Sequence, residues 1–446
     1  MTEQFFTPNN GTAEQMIRQA VVQETMKICD GMRYYKKTFE QNNMVCMKIE
    51  CVDPIDPECL QYALENTLKR LRVFRLTVEH DAQVFYLKEL TQPPVVQADH
   101  GQRRTVCTPE NHGYMLRVSY CGNTITIDFF HGISDGMGII AFQKLLMYLY
   151  VERKYGGSVC PPPDMIAPDT PEDTREYADS LTFVSDMPVA APSKQYDYER
   201  AFQLPDLHME SKHLCAMYQL KVNADKFEQY MRANETSRSA MFTMFMNRVI
   251  AEQNNTHELP VVAALAANAR KAYGAEKTLQ CCIATIPIWY DAQLRELPWH
   301  EQLKAGRNMI SDGVRPERIL HSAQGIKRFN RMLEDRFPTL EEKKAYAREV
   351  NRQGGVKYTY GISYIGELDY GRDINRYIAS NYPILSANTI PIIIEIAKWN
   401  RHYYLSYCTH LENDPYVQKL QDLFVSEGIP CICSPREIFE EAYADF

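Results

Sequence analysis

The first third of the chain alternates between strand-like and helix-like spacing of apolar residues. Residues 47–52 have strand character, and Asp56-Pro57 then has the composition of a helix start, with Asp56 as N-cap and proline in the first turn. The apolar residues that follow recur every three to four positions, which predicts a helix with one buried face: Leu60, Leu64, Leu68 and Leu71.

A second pattern predicts a hairpin followed by a helix. Residues 114–120 and 124–130 are strand-like, and the short turn Cys121-Gly122-Asn123 separates them. After a glycine-containing loop, apolar residues return at helical spacing: Ile139, Phe142, Leu145, Leu146 and Leu149. The order strand, tight loop, helix is therefore predicted around residues 131–136.

The region 151–205 is rich in proline, which interrupts helices and central strands, so we interpret it as an extended crossover. Beyond it, strands are predicted at 216–222, 261–267, 356–365, 389–396 and 401–408, and helices at 224–233, 237–253, within 298–352 and at 415–427. The sequence thus predicts an α/β fold with mixed sheets flanked by helices. We predict an N-terminal lobe over 1–180, a crossover linker over 181–210 and a C-terminal lobe over 211–446.

Composition narrows the class of protein. A chain of 446 residues exceeds a single core, which favours two lobes. The net charge of -8 argues against non-specific nucleic-acid binding. Residues 1–6 do not resemble a secretory signal, and the apolar runs 261–267 and 390–396 are too short to span a bilayer, so we expect a cytoplasmic protein without a membrane span. The 13 cysteines lack CxxC spacing, and no metal site is predicted.

The loop His131-Gly132-Ile133-Ser134-Asp135-Gly136 carries the candidate chemistry. A histidine at a strand end can accept a proton at neutral pH, and an aspartate four residues later can hold the loop by pairing with an arginine. Two other interpretations of this loop stay open, one structural and one catalytic. Ser134 or Asp135 can simply cap the next helix. The same residues also match GxSxG, which would make Ser134 the nucleophile of a serine hydrolase.

The loop resembles the HxxxDG signature of the chloramphenicol acetyltransferase and condensation-domain superfamily, and the chain looks closest to bacterial alcohol acetyltransferase-like proteins. Three further segments resemble that superfamily in the same order along the chain. They are a helix end resembling R-x-P-x-F, with Arg72 in place of proline, a strand ending in Arg270, and a loop resembling S-N-x-G at residues 362–368.

The resemblance implies two similar α/β lobes with a channel between them. It implies His131 as general base, and a structural Asp135 that pairs with Arg270 while Gly136 permits the turn. The co-substrate would be acyl-CoA or an acyl carrier protein thioester, the acceptor a small alcohol or amine, and no cofactor would stay bound. Channel candidates are Ser134, Ser363 and Tyr364, the last standing where the superfamily has asparagine.

Departures from the superfamily pattern leave the substrate open. Phe130 occupies the position at which condensation domains usually carry a second histidine, which disfavours peptide-bond formation. Cys281 replaces an asparagine that often follows the arginine strand. We therefore expect a stand-alone, monomeric acyltransferase, with a serine hydrolase or a non-catalytic binding protein on the same scaffold as the alternatives. For the hydrolase, the histidines available downstream are His321, His402 and His410.

Overall fold

The computed structural model describes residues 25–28, 32–37, 42–99, 105–192, 198–205, 214–256, 258–387, 390–440, 442–444 and 446. The expectation for residues 1–6 and parts of the predicted linker lie outside this range. In the N-terminal half the strands are β1 Thr25–Lys27, β2 Met44–Cys51, β3 Leu76–His80, β4 Phe85–Glu89, β5 Gln97–Ala98, β6 Leu116–Cys121 and β7 Thr124–Phe130. The helices are α1 Met32–Tyr35, α2 Pro57–Arg70 and α3 Gly136–Tyr155.

The second half of the chain contains more strands than the sequence predicts. They are β8 Leu214–Asn223, β9 Val261–Asn268, β10 Ile283–Tyr290, β11 Tyr360–Glu367, β12 Ile378–Leu385, β13 Ile392–Trp399, β14 His402–Thr409, β15 Cys431–Cys433 and β16 Glu437–Glu440. The helices are α4 Ala224–Ala233, α5 Arg238–Gln253, α6 Arg270–Tyr273, α7 Ala292–Arg295, α8 Trp299–Gly313, α9 Pro316–Arg336, α10 Leu340–Gly355, α11 Arg372–Asn375 and α12 Tyr416–Ser426.

The strands form two large sheets and one small one. The first large sheet has the order β12-β2-β7-β6-β5, and the second has the order β10-β9-β11-β13-β14-β8-β15, with β16 also paired to β8. In the second sheet β11 runs parallel to β9 and β13, whereas the remaining pairs are antiparallel, so the sheet is mixed as predicted. A separate sheet contains β1, β4 and β3.

Several local predictions are confirmed. Asp56 caps α2 by accepting from two backbone N–H groups, with Pro57 in the first turn. The four leucines of the predicted stripe have exposed fractions of 0–1%, so they form the buried face. The strands β6 and β7 pair as an antiparallel hairpin, and Gly122 in its turn adopts a φ of 58°, which glycine tolerates without strain.

The predicted crossover is tied to the first lobe. Between α3 and β8 the described residues contain only two short 3₁₀ turns, Thr174–Glu176 and Ser180–Phe183. Glu176 in the first turn forms a buried ion pair with Arg70 at the end of α2, with Nη1 and Oε2 2.8 Å apart. The backbone carbonyl of Glu176 also accepts from the Leu279 N–H, so the crossover contacts both halves of the chain at this point.

The second half of the chain contributes one strand to the first sheet. The edge strand of the first sheet is β12, which lies late in the chain and pairs antiparallel with β2. Pro383 lies within it, and an edge is where a sheet accepts a proline. Because β12 follows β11 in the chain and precedes β13, both of the second sheet, β12 joins the lobes next to the strand that approaches the His131 loop.

Candidate active site

The loop that contains His131 is fixed at both ends by regular structure. β7 ends at Phe130 and α3 begins at Gly136. The backbone N–H of His131 donates to the Asn43 carbonyl at 2.8 Å. A Cβ atom added to Gly132 would lie 2.3 Å from the Phe130 ring, so only glycine fits there. The histidine backbone therefore has a defined position.

One ring nitrogen of His131 is hydrogen-bonded within the loop, and the other can accept a proton. Its Nδ1 lies 2.9 Å from the Ser134 carbonyl oxygen. Since a carbonyl oxygen only accepts, the neutral ring carries its hydrogen on Nδ1, and Nε2 keeps a lone pair. The pKa of His131 is lowered to about 4, first by burial and then by the positive charge of Arg33, while Asp135 partly opposes both. The imidazole is thus neutral, in its base form, at pH 7.

Asp135 caps the helix that follows the loop, and its carboxylate accepts five hydrogen bonds. Its Oδ1 accepts from the Met137 and Gly138 backbone N–H groups at 3.1 and 3.2 Å. Arg270 contacts both oxygens at 2.8 Å, and the Cys282 N–H donates to Oδ2 at 2.8 Å. Burial raises the pKa of this carboxyl, but Arg270 and the backbone donors outweigh burial and lower it. Asp135 is therefore a buried, fully saturated carboxylate.

Arg270 connects Asp135 to the segment before β10. Its Nε donates to the Thr278 carbonyl and its Nη2 to the Gln280 carbonyl, both at 2.9 Å. The planar guanidinium matches both the carboxylate and two backbone oxygens, a geometry that lysine cannot reproduce. The ion pair thereby fixes the loop of the first lobe to the segment that leads into the second sheet.

Ser134 is fully buried, and its hydroxyl donates to the Leu279 carbonyl at 2.8 Å. Space around it is tight, because a Cβ added to Gly138 would lie 2.1 Å from Ser134 Oγ and 2.2 Å from the Leu279 oxygen. A serine nucleophile needs a base within hydrogen-bond reach of Oγ. Here the histidine of the loop contacts the serine carbonyl oxygen rather than its Oγ, which disfavours the GxSxG interpretation.

The loop packs directly on the second sheet. A Cβ added to Gly136 would lie 2.9 Å from Ile365 Cγ2 on β11. Ser363 pairs with Glu395 of β13, and the face of β13 that carries Glu395 packs through Ile393 against the first sheet, so Ser363 also faces the first lobe. Tyr364 lies on the other face, where its ring packs edge-on against Tyr403 with centroids 6.0 Å apart. Of these two predicted channel residues, only Ser363 is on the side of the His131 loop.

Two neighbours of His131 were not predicted as site residues. Cys281 Sγ lies 3.5 Å from His131 Nδ1, and Arg33 Nη1 donates to the same sulfur at 3.2 Å. The sequence marks Cys281 as a departure from the superfamily pattern but gives no signal for Arg33, which is almost one hundred residues from the loop. Among the described residues, the structure contains no cluster of three or more His, Cys, Asp or Glu side chains suited to a metal ion.

No family model matches the sequence, and no curated protein matches it. Solved structures do match the fold. The trichothecene 15-O-acetyltransferase TRI3 of Fusarium sporotrichioides matches with a TM-score of 0.57 and 10% identity, over 90% of this chain and 94% of that chain. TRI101 of the same organism, solved with coenzyme A and T-2, matches with a TM-score of 0.57 and 12% identity, over 91% and 99% of the two chains.

A condensation domain matches equally well. The starter condensation domain of rhizomide synthetase, solved with C8-CoA and Leu-SNAC, has a TM-score of 0.58 and 12% identity, over 92% of this chain and 94% of that chain. The chain therefore has the two-lobed α/β fold of chloramphenicol acetyltransferase-like proteins and condensation domains, as the sequence predicts. Within the described residues, every helix is too short or too polar to cross a membrane.

Proposed function

We propose that this protein is an acyltransferase that moves an acyl group from a thioester, acyl-CoA in the first instance, to a hydroxyl or amine of a small molecule. The observation that carries the proposal is the geometry of His131. Its Nδ1–H is directed to the Ser134 carbonyl, which leaves Nε2 to accept a proton. The fold neighbours solved with coenzyme A and C8-CoA support the choice of donor.

The proposed reaction is a direct transfer. His131 Nε2 takes the proton from the acceptor as its oxygen or nitrogen attacks the thioester carbonyl. The tetrahedral intermediate then collapses, the C–S bond breaks, and the imidazolium returns the proton to the leaving sulfur. Because the low pKa of His131 makes the imidazolium a strong acid, this second proton transfer is favoured. Asp135 and Arg270 act as positioning residues that hold the loop.

Binding both substrates together supplies much of the rate in this proposal. Aligning two reactants in one site is worth up to about 7–11 kcal/mol, and a positioned general base adds about 10²–10⁴-fold. Neither contribution requires an acyl-enzyme intermediate. A carrier-protein thioester is the alternative donor, because it presents the reacting carbonyl through the same kind of C–S bond as acyl-CoA.

The test measures thiol release from a panel of acyl-CoAs and acyl-N-acetylcysteamine thioesters with alcohol and amine acceptors. We expect His131→Ala to lose about 10²–10⁴-fold in rate with an unchanged melting temperature. Ser134→Ala is the matched control from the same loop and should keep its rate within about tenfold. It loses one hydrogen bond, that to the Leu279 carbonyl.

Each other outcome has a distinct meaning. Wild-type rates in His131→Ala would contradict the mechanism. A dead Ser134→Ala beside an active His131→Ala would identify a serine hydrolase. A wild-type protein that binds coenzyme A but transfers nothing to any acceptor would indicate a binding protein on this scaffold, and His131→Ala would then bind coenzyme A equally well.

A further inference from the structure

One row of side chains runs across six neighbouring strands of the second sheet. Ser363 on β11 lies opposite Glu395 on β13, Glu395 lies opposite Ser406 on β14, and Ser406 lies opposite Gln219 on β8. The pairing of β11 with β9 ends one residue earlier, at Ile362 and Leu265, and the next residue of β9, Ala266, lies opposite Thr285 on β10. Apart from this alanine, every position in the row is polar.

The row faces the first lobe. On β13, Ile392, Ile394 and Ile396 pack in the core between the sheet and its helices, so the residues between them point the other way. Ile393, next to Glu395 on that face, packs with Cys46 and Ile384 of the first sheet. Glu395 therefore points into the interface between the lobes.

The row also lies close to the His131 loop. Ile365 packs on Gly136 and on the core of the first lobe, and it lies two residues beyond Ser363 on β11, at a bulge between Tyr364 and Gly366. Two residues of strand span about 7 Å, and neighbouring strands are about 4.8 Å apart. Ser363 and Glu395 thus lie within roughly 12 Å of the strand position that contacts the loop.

Glu395 is a buried carboxyl in an uncharged setting. Its exposed fraction is 7%. Its pKa is raised to about 8 because burial outweighs the opposing effect of the neighbouring Ser363 hydroxyl. No charged group contributes to this pKa among the described residues. At pH 7 the carboxyl is mostly protonated, so it can both donate and accept hydrogen bonds.

The two sides of Glu395 differ in access. Ser406 on one side is fully buried, and its hydroxyl donates to Gln219 Oε1 at 3.1 Å. On the other side exposure increases through half-buried Ser363 to exposed Thr285, which lines a cavity of about 680 Å³. Ser363 is therefore the more exposed of the two neighbours of Glu395 in the row.

We propose that Ser363 and Glu395 form a hydrogen-bonding subsite that selects substrates carrying an uncharged hydroxyl or amide away from the reacting atom. The inference rests on the proposed acyl transfer. The Glu395 carboxyl donates its hydrogen to the ligand oxygen, and the Ser363 hydroxyl forms a second hydrogen bond with the ligand. The same chemistry can come from the acceptor or from the acyl chain of the donor, and the experiment separates these sources.

The experiment compares wild type, Glu395→Gln and Glu395→Leu, with Ser406→Ala as the control from the bonded side of the row. One arm pairs butanol with butanediol and butylamine with aminobutanol at fixed acetyl-CoA. The other arm pairs butyryl-CoA with hydroxybutyryl-CoA at a fixed acceptor. We expect Glu395→Leu to raise KM for the hydroxylated member of one pair by about tenfold at unchanged kcat, which is the loss of one hydrogen bond.

The amide of Glu395→Gln still donates and accepts, so its KM should stay within about threefold of wild type, and Ser406→Ala should match wild type. The arm in which KM rises shows whether the recognised hydroxyl belongs to the acceptor or to the acyl chain. Equal losses in the Gln and Leu variants would mean that charge is recognised and would overturn the proposal, as would His131-dependent transfer without any effect of Glu395→Leu. The absence of His131-dependent transfer in both arms would instead overturn the proposed function, and the subsite with it.

Discussion

Asp135 and Glu395 are both buried carboxyl groups on the inner sides of the two lobes, yet their surroundings shift their pKa in opposite directions. Asp135 lies against Arg270 and three backbone N–H groups, which lower its pKa. Glu395 lies beside the Ser363 hydroxyl, and burial raises its pKa to about 8. The difference is the number of donors that reach each carboxyl.

This contrast separates a structural carboxyl from one that is available for recognition. A carboxylate whose lone pairs are all occupied holds its surroundings together but offers nothing to a ligand. A protonated carboxyl with one partner has free donor and acceptor capacity in a site where water is largely excluded, so a matching ligand group gains more there than at the surface. Three predictions probe the contrast, in order of decreasing size.

The largest effect is expected for Asp135→Ala. This change leaves the Arg270 guanidinium buried without its counter-charge and removes the cap of α3, so the free energy of unfolding should fall by about 3–5 kcal/mol. The rate of acyl transfer should fall as well, because the His131 loop loses its anchor. Urea unfolding followed by fluorescence measures the first effect and thiol release the second.

Asp56→Ala is the matched control, since Asp56 caps α2 without contacting an arginine. Asp56→Ala should lower the free energy of unfolding by about 1 kcal/mol. Should Asp135→Ala abolish activity at an unchanged melting temperature, the assignment of Asp135 to a positioning role would be wrong, and a direct role in the chemistry would have to be considered.

The second prediction uses the pH dependence of stability. The folded-state pKa of Glu395 is about 8, against an ordinary value of 4.5, so between these values the folded protein holds a proton that the unfolded chain has lost. Raising the pH through this window therefore destabilises the fold. Relative to Glu395→Gln, wild type should lose about 1 kcal/mol of unfolding free energy between pH 6 and pH 7.

The comparison with Glu395→Gln isolates this carboxyl. Asp135, whose folded-state pKa is lowered, loses its stabilising contribution only as the pH falls below this window. His131 has a folded-state pKa of about 4 and adds a slope of the opposite sign near pH 6.5, but it is present in both proteins and cancels. Parallel stability curves for the two proteins would show that Glu395 is ionised at pH 6, contrary to the prediction.

The sequence carried most of the information on the His131 loop because that information is local. The strand, the glycines and the start of α3 lie within a few residues of one another, so spacing predicts them. The partner of Asp135 is different, since Arg270 is 135 residues away and was indicated by the resemblance rather than by any local pattern. Arg33 had no signal at all, because its contact with Cys281 depends on the tertiary fold.

The second lobe shows why Glu395 and the strand β12 were not predicted. Residues 390–396 were interpreted as a buried apolar strand, and the single charged residue within this run, Glu395, was overlooked although it was the available signal. The strand β12 was missed because Asn381 and Pro383 interrupt its apolar pattern. Its pairing with β2 depends on a contact between distant parts of the chain, which periodicity does not report.

The smallest effect is expected for Glu395→Leu, and its sign distinguishes the two carboxyls most sharply. Leucine has a similar volume and needs no hydrogen bond, and half-buried Ser363 can turn to water, so the free energy of unfolding at pH 7 should change by less than about 1 kcal/mol or increase. Asp135→Leu, in contrast, should destabilise as strongly as Asp135→Ala. Both variants are measured by urea unfolding at one pH.

A loss of 3 kcal/mol or more in Glu395→Leu would mean that this carboxyl supports the fold as Asp135 does, since breaking a saturated buried ion pair costs about that much. If stability is instead unchanged while KM rises for a hydroxylated substrate, the carboxyl is dispensable for folding and needed for binding. A buried polar group that does not stabilise the fold is retained for what it binds, and the two measurements together decide whether Glu395 is such a group.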